Sequence, residues 1–179
     1  MDRRHFLQGA AALAAATFVG SRFQGADEDT LMAETVDTNA NIPKLHKSRD
    51  EWKQLLPAAS YAVLFEHATE RPRSSPLNEE KHEGTFVCAA CYLPLFESGT
   101  KFESGTGWPS FFDPIAGHVG TKRDFKLILP RTEYHCARCE GHQGHIFGDG
   151  PKPTGKRYCN NGVALRFVPK GKALPALRT

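Results

Sequence analysis

The stretch Thr85-Phe86-Val87-Cys88-Ala89-Ala90-Cys91 runs from a β-prone apolar triplet straight into a C-x-x-C turn. A second such turn, Cys136-Ala137-Arg138-Cys139, follows Tyr134-His135, and 44 residues (92–135) separate the two pairs. Zinc takes four soft ligands at tetrahedral corners, and each C-x-x-C knuckle supplies two of them. The pattern predicts one structural Zn2+ held by Cys88, Cys91, Cys136 and Cys139, clipping two parts of a small domain together. The separation exceeds that of a compact zinc ribbon, so a sheet must be inserted between the knuckles. C-x-x-C also serves thiol exchange, and an oxidising compartment would permit two disulfides. Thioredoxin-like motifs sit in a βαβ context, which is absent here, and this favours the metal.

The fifth cysteine has no partner of this kind. It lies in Arg157-Tyr158-Cys159-Asn160-Asn161. A lone thiol is more often a small buried hydrophobe than a reagent. Its polar neighbours argue against an apolar core strand, and Cys159 is read as a candidate nucleophile.

Outward from the cysteines the chain reads as strands. Phe125-Lys126-Leu127-Ile128-Leu129 and Val163-Ala164-Leu165-Arg166-Phe167 alternate as half-buried strands do, and His145-Ile146-Phe147 is a further short one. Gly and Pro clusters at 105–109, 148–155 and 169–171 punctuate them. Upstream, Ser48-Arg49-Asp50-Glu51 is a capping-box pattern. It predicts a short helix turning Trp52, Leu55 and Leu56 inward, ended by Pro57, and a second helix over Ala58–His67 with Tyr61, Leu64 and Phe65 on its inner face. Residues 70–83 are polar with two prolines and are expected to form a wrapping loop. Two helices followed by several strands imply a mainly β, antiparallel domain fronted by helices.

The extreme N-terminus is Asp2-Arg3-Arg4-His5-Phe6-Leu7, then an Ala-rich apolar run to Gly20. Paired arginines before a mildly hydrophobic run resemble a twin-arginine export signal, and the run is too short to span a bilayer. The expected organisation is a signal over 1–26, a flexible spacer over 27–46, a catalytic domain over 47–169 and a tail over 170–179. The implied location is the periplasm, with membrane contact only during export. A net charge of +3 with no basic, aromatic-interleaved stripe argues against nucleic acid.

Four further stretches stand in order with the cysteine pairs. They are Ser104-Gly105-Thr106-Gly107-Trp108-Pro109-Ser110-Phe111, Arg131-Thr132-Glu133, Gly141-His142-Gln143-Gly144-His145-Ile146-Phe147 and Gly155-Lys156-Arg157-Tyr158-Cys159-Asn160-Asn161. Together they resemble B-type methionine sulfoxide reductases, from about Ser48 to Phe167. The resemblance implies two antiparallel sheets in a tent-like arrangement, short N-terminal helices and a structural zinc. It further implies reduction of methionine R-sulfoxide in peptides and proteins. Cys159 is the implied nucleophile, His142, His145 and Asn161 active-site residues, and Trp108 and Phe147 the pocket for the substrate methyl group. H-x-x-H without its Glu is not a metallopeptidase motif. Arg157, two residues from Cys159 on one strand face, is the candidate cation that lowers the thiol pKa. One of the two histidines would protonate the sulfoxide oxygen.

The chain departs from that pattern at Thr106, where many relatives keep a resolving cysteine, and at Arg73, Gln143 and Asn160. With Thr106 in that place, the sulfenic acid left on Cys159 is expected to be reset by an external thiol, either thioredoxin-like or small. A zinc-dependent binding module without catalysis is the alternative from another class; it need not carry this set of residues together.

Overall fold

Ser48 opens the first element. Its Oγ accepts from the Glu51 N–H at 3.3 Å, and Glu51 Oε2 accepts from the Ser48 N–H at 2.8 Å. This capping box starts α1 (Arg49–Leu55), and Pro57 starts α2 (Ala58–Glu66). Trp52 is buried and stacks on Phe65 at 5.0 Å; Tyr61 and Leu64 are buried as expected. Leu55, by contrast, is exposed. The helix has only two turns, and Leu56, extended at the cap, takes the inward position instead. The computed structural model describes residues 42–126 and 130–179. The expected signal, most of the spacer and Leu127–Leu129 lie outside the described residues.

Nine strands follow among the described residues: β1 (Gly84–Cys88), β2 (Pro94–Glu97), β3 (Lys101–Phe102), β4 (Ser110–Phe111), β5 (Val119–Asp124), β6 (Arg131–Cys136), β7 (His142–Phe147), β8 (Arg157–Asn160) and β9 (Leu165–Pro169). They form two antiparallel sheets, ordered β2-β1-β9 and β3-β4-β8-β7-β6-β5. Aromatic side chains join the sheets. Phe96 of the small sheet stacks on Phe111 of the large one at 4.2 Å, and Tyr134 and Tyr158 meet it edge-on. Edge-to-face and offset contacts of this kind add about 0.5–1.5 kcal/mol per pair beyond burial.

The expected strand over Phe125–Leu129 begins too late. The observed β5 ends at Asp124, and Phe125 is 71% exposed. Asp124 turns inward and accepts the Lys126 N–H at 2.9 Å, which bends the chain. As an edge strand with exposed Thr121, Lys122 and Arg123, β5 carries no apolar alternation to read. The start of the last strand also differs, because Gly162–Ala164 form a 3₁₀ turn ahead of Leu165. The N–H groups of Gly162 and Val163 donate to the Glu70 carboxylate at 2.7 and 3.0 Å instead of to a ladder.

Both ends of the described region are tied to the domain. The Leu45 N–H donates to the Arg138 carbonyl at 2.8 Å. At the other end the Arg178 N–H donates to the Cys91 carbonyl at 3.1 Å, and Arg166 and Arg178 each lie over the Tyr92 ring.

Candidate active site and metal centre

The knuckles come from turns after β1 and β6 and bring the four cysteines together, all buried. Sγ of Cys88 lies 3.6 Å from that of Cys139, and Sγ of Cys91 lies 3.5 Å from that of Cys136. Four sulfurs 2.3 Å from one tetrahedral zinc would stand roughly 3.8 Å apart. Spacing and donor type therefore suit a metal ion. Burial pushes the Cys88 thiol well up, whereas Cys91 is pushed far down by hydrogen bonds from Cys136, Cys139 and Cys88. A dication at their centre would let all four sulfurs sit there as thiolates.

Gln143 connects this centre to the strand that carries Cys159. Its Nε2 donates to Cys88 Sγ at 3.5 Å, and its backbone carbonyl accepts from Asn161 Nδ2 at 3.0 Å. Asn160 Nδ2 donates to the Tyr134 hydroxyl at 2.7 Å and approaches Gln143 Oε1 at 3.4 Å. The two departures, Gln143 and Asn160, are thus one buried polar network. It runs from a metal-site sulfur to the residue after Cys159.

Cys159 is the only cysteine with partial exposure. On β8 it pairs across to His145 of β7 and to Ser110 of β4. Gly144 permits this closeness: a Cβ there would collide with the Cys159 carbonyl. The thiol opens on a cavity of about 120 Å³ walled by Trp108, Phe147, His145, Thr69 and Asn161. Trp108 Nε1 donates to the Glu70 carbonyl at 3.1 Å, which fixes the indole. Arg157 lies over the Phe147 ring at 4.3 Å and forms a forked pair with Asp149 at 2.8 and 3.0 Å.

The expected depression of the Cys159 pKa does not appear in the resting protein. Burial raises it, and this outweighs the charge of Arg157 and the hydrogen bonds from Thr106 and Arg157. The guanidinium is shared with Asp149, so only part of its field reaches the sulfur.

The two histidines separate. His145 lines the cavity, and its Nε2 is 2.7 Å from Asp124 Oδ2, which also accepts from Arg131 Nη2 at 2.8 Å. The Lys126 N–H, His145 and Arg131 hold the Asp124 carboxyl far below the usual range. His142 is buried behind His145, ring centroids 5.4 Å apart, and burial pushes its pKa down to about 4. Asn161 does not reach for the thiol. Its amide accepts from the Glu70 N–H at 3.0 Å and donates to Gln143, holding the 70s loop against β7.

Glu70 and Asp124 had no signal in the sequence. Each is a single acidic residue in a polar stretch, and only the tertiary contacts show Glu70 bracing Trp108 through its backbone carbonyl and the turn after Asn161 through its carboxylate, and Asp124 gripping His145.

Comparison with known proteins agrees with the geometry. Residues 56–169 match the SelR domain, and residues 1–20 match a twin-arginine translocation pathway signal sequence. A peptide methionine sulfoxide reductase MsrB of Bradyrhizobium diazoefficiens is 49% identical over 134 residues, 74% of this chain and 96% of the relative. Relatives of the same name from Pseudomonas savastanoi and Methanosarcina barkeri are 50% and 52% identical, covering 72% and 69% of this chain and 99% and 87% of their own. With the domain match, the coverage of whole relatives and the four-cysteine centre in place, the chain belongs to the SelR-domain family of MsrB-type peptide methionine sulfoxide reductases.

Proposed function

We propose that this chain reduces the R-epimer of methionine sulfoxide in peptides and proteins, with Cys159 as nucleophile and His145 as general acid. One observation carries the reading: a partly exposed thiol faces an imidazole across one strand pair, at the floor of an aromatic-walled cavity of methyl-thioether size. The Cys159 thiolate attacks the sulfoxide sulfur while His145 delivers a proton to the oxygen, a contribution typically of about 10²–10⁴-fold. The hydroxyl then passes from the substrate sulfur to the Cys159 sulfur: the old sulfur–oxygen bond and the transient sulfur–sulfur bond break, the electron pair leaves with methionine, and Cys159 is left as sulfenic acid. Two thiols of an external donor return it to thiol, releasing water and a disulfide. That donor is external because Thr106 cannot form the disulfide and the other four cysteines are buried at the metal centre. Trp108 and Phe147 receive the S-methyl group, a polarizable contact aromatic rings favour.

Cys88, Cys91, Cys136 and Cys139 would hold zinc, whose contribution is structural: it ties the two knuckles and takes no part in the reaction. The twin-arginine signal match supports periplasmic action, after export as a folded protein. The deciding experiment is an assay of separate R- and S-sulfoxide peptides with a small dithiol. Turnover of the R-epimer alone is expected; turnover of the S-epimer alone would overturn the reading.

His145 is chosen over His142 because it lines the cavity, and Asp124 is its positioning residue. Replacing Asp124 with Asn removes the carboxylate that accepts from His145 Nε2 and orients the ring. We expect kcat to fall about tenfold to a hundredfold, a fraction of the general-acid term, with KM little changed. A merely structural role for Asp124 would lower the melting temperature and leave kcat where it is.

A further inference from the structure

Behind the cavity, three ligand-type side chains from three elements converge outside the four-cysteine centre. They are His67, the left-handed C-cap of α2, Glu133 of β6 and His142 of β7. One ligand atom of each lies within 4.8 Å of the other two. Glu133 Oε1 is 3.0 Å from His142 Nδ1 and 3.6 Å from His67 Nδ1. Two ligands about 2.0–2.1 Å from one tetrahedral zinc stand roughly 3.3 Å apart, between those two values.

The site also lacks internal satisfaction. The Glu133 and His142 side chains are only 5% and 3% exposed. Yet neither Glu133 Oε1 nor His142 Nδ1 makes a hydrogen bond of proper geometry among the described residues. Two buried polar atoms that stand 3.0 Å apart without hydrogen-bond geometry are uncommon, and each calls for an explanation. The spot already draws a cation: Lys122 Nζ stands 3.2 Å from Glu133 Oε1 on a half-exposed, flexible arm. An ammonium there compensates charge but cannot accept the lone pairs of two imidazoles. A divalent ion can.

We propose that His67, Glu133 and His142 form a second, exchangeable divalent-cation site, with Zn2+ as the fitting ion and Lys122 as the group it displaces. Two imidazoles and one carboxylate suit zinc, with the fourth position left to water. His67 is a third exposed on its side chain, so the ion has an entry path. His142 packs against His145, ring centroids 5.4 Å apart, but binding of the ion can be read without turnover.

The test uses the full chain with its four-cysteine centre saturated, titrated with Co2+ and read by absorption. One further equivalent should appear with weak d–d bands and without the intense thiolate-to-cobalt charge transfer that four cysteines produce. His67→Asn, which keeps a residue tolerant of the left-handed cap, should weaken that equivalent by about a hundredfold or more, beyond the 10–100-fold loss typical for an outer-shell partner. Lys122→Met should tighten it, because the competing ammonium is gone. No further equivalent in the native chain, unchanged affinity in His67→Asn, or no tightening in Lys122→Met would each overturn the proposal.

Discussion

Replacing Cys159 with serine is expected to abolish reduction of the R-sulfoxide, by about 10⁴-fold or more, while the chain stays folded. Loss of a catalytic nucleophile has effects of this size because nothing else in the site can form the bond. A serine hydroxyl is a far weaker nucleophile at its free pKa, and the other four cysteines are buried at the metal centre. The side chain sits at a cavity wall and differs from serine by one atom, so stability should change by less than about 1 kcal/mol. Thermal melts and metal content should match those of the native chain, and full retained activity would place the chemistry elsewhere. The pH behaviour of the native thiol follows from its environment. Burial holds the Cys159 pKa above its ordinary value, so the thiolate fraction is small at neutral pH and grows as pH rises. Alkylation of Cys159 by iodoacetamide should therefore still be accelerating above the pH where an exposed thiol has levelled off.

Removing the metal from the four-cysteine centre should unfold the domain. Apparent zinc binding to such sites is about 10–16 kcal/mol, and a domain of this size has about 5–15 kcal/mol of stability in total. The cysteines are not at the periphery. Cys88, Cys91, Cys136 and Cys139 lie in the same buried cluster as Trp52, Tyr61, Leu64, Phe86, Phe96 and Tyr134. The knuckles follow β1 of one sheet and β6 of the other, so an ion held by all four cysteines would join both sheets. Without it, nothing would tie the two turns together through the sulfurs. Chelation confirmed by metal analysis should lower the melting temperature by about 15 °C or more, scaled at roughly 2–4 °C per kcal/mol. An unchanged melt in metal-free protein with reduced cysteines would show that the core alone suffices.

Much of this was legible in the residues themselves because the signals are local. A C-x-x-C turn is complete within four residues, and its pairing with a second one needs only counting. The capping box at Ser48–Glu51 closes within one helical turn and is formed as written. Thr85–Val87 carries its β-propensity in consecutive residues, and Arg157–Asn161 announces its chemistry through its polar flanks. The short strands β3 and β4, two residues each, are too brief to show a period, and β5 is an edge strand whose polar residues face outward. Phe125 misled because apolar alternation reports burial, and Phe125 lies beyond the bend made by Asp124, while 127–129 lie outside the described residues.

The candidates for the chemistry stood in the chain: the thiol in its polar flanks and the four cysteines in their spacing, with the histidine pair and the aromatic wall implied by the resemblance. Their division of labour could not be read there. Antiparallel pairing of β7 with β8 sets His145, and not His142, opposite Cys159. The β5–β6 bend delivers Asp124 to His145, and the 70s loop brings Glu70 to Trp108 and to the turn after Asn161. Those contacts span 21 to 92 residues of sequence. Burial likewise raises the pKa of Cys159 where the neighbouring Arg157 alone implied a lower one. Hydrogen bonds and desolvation act through space, over a few ångströms, between groups whose separation along the chain carries no trace of the contact.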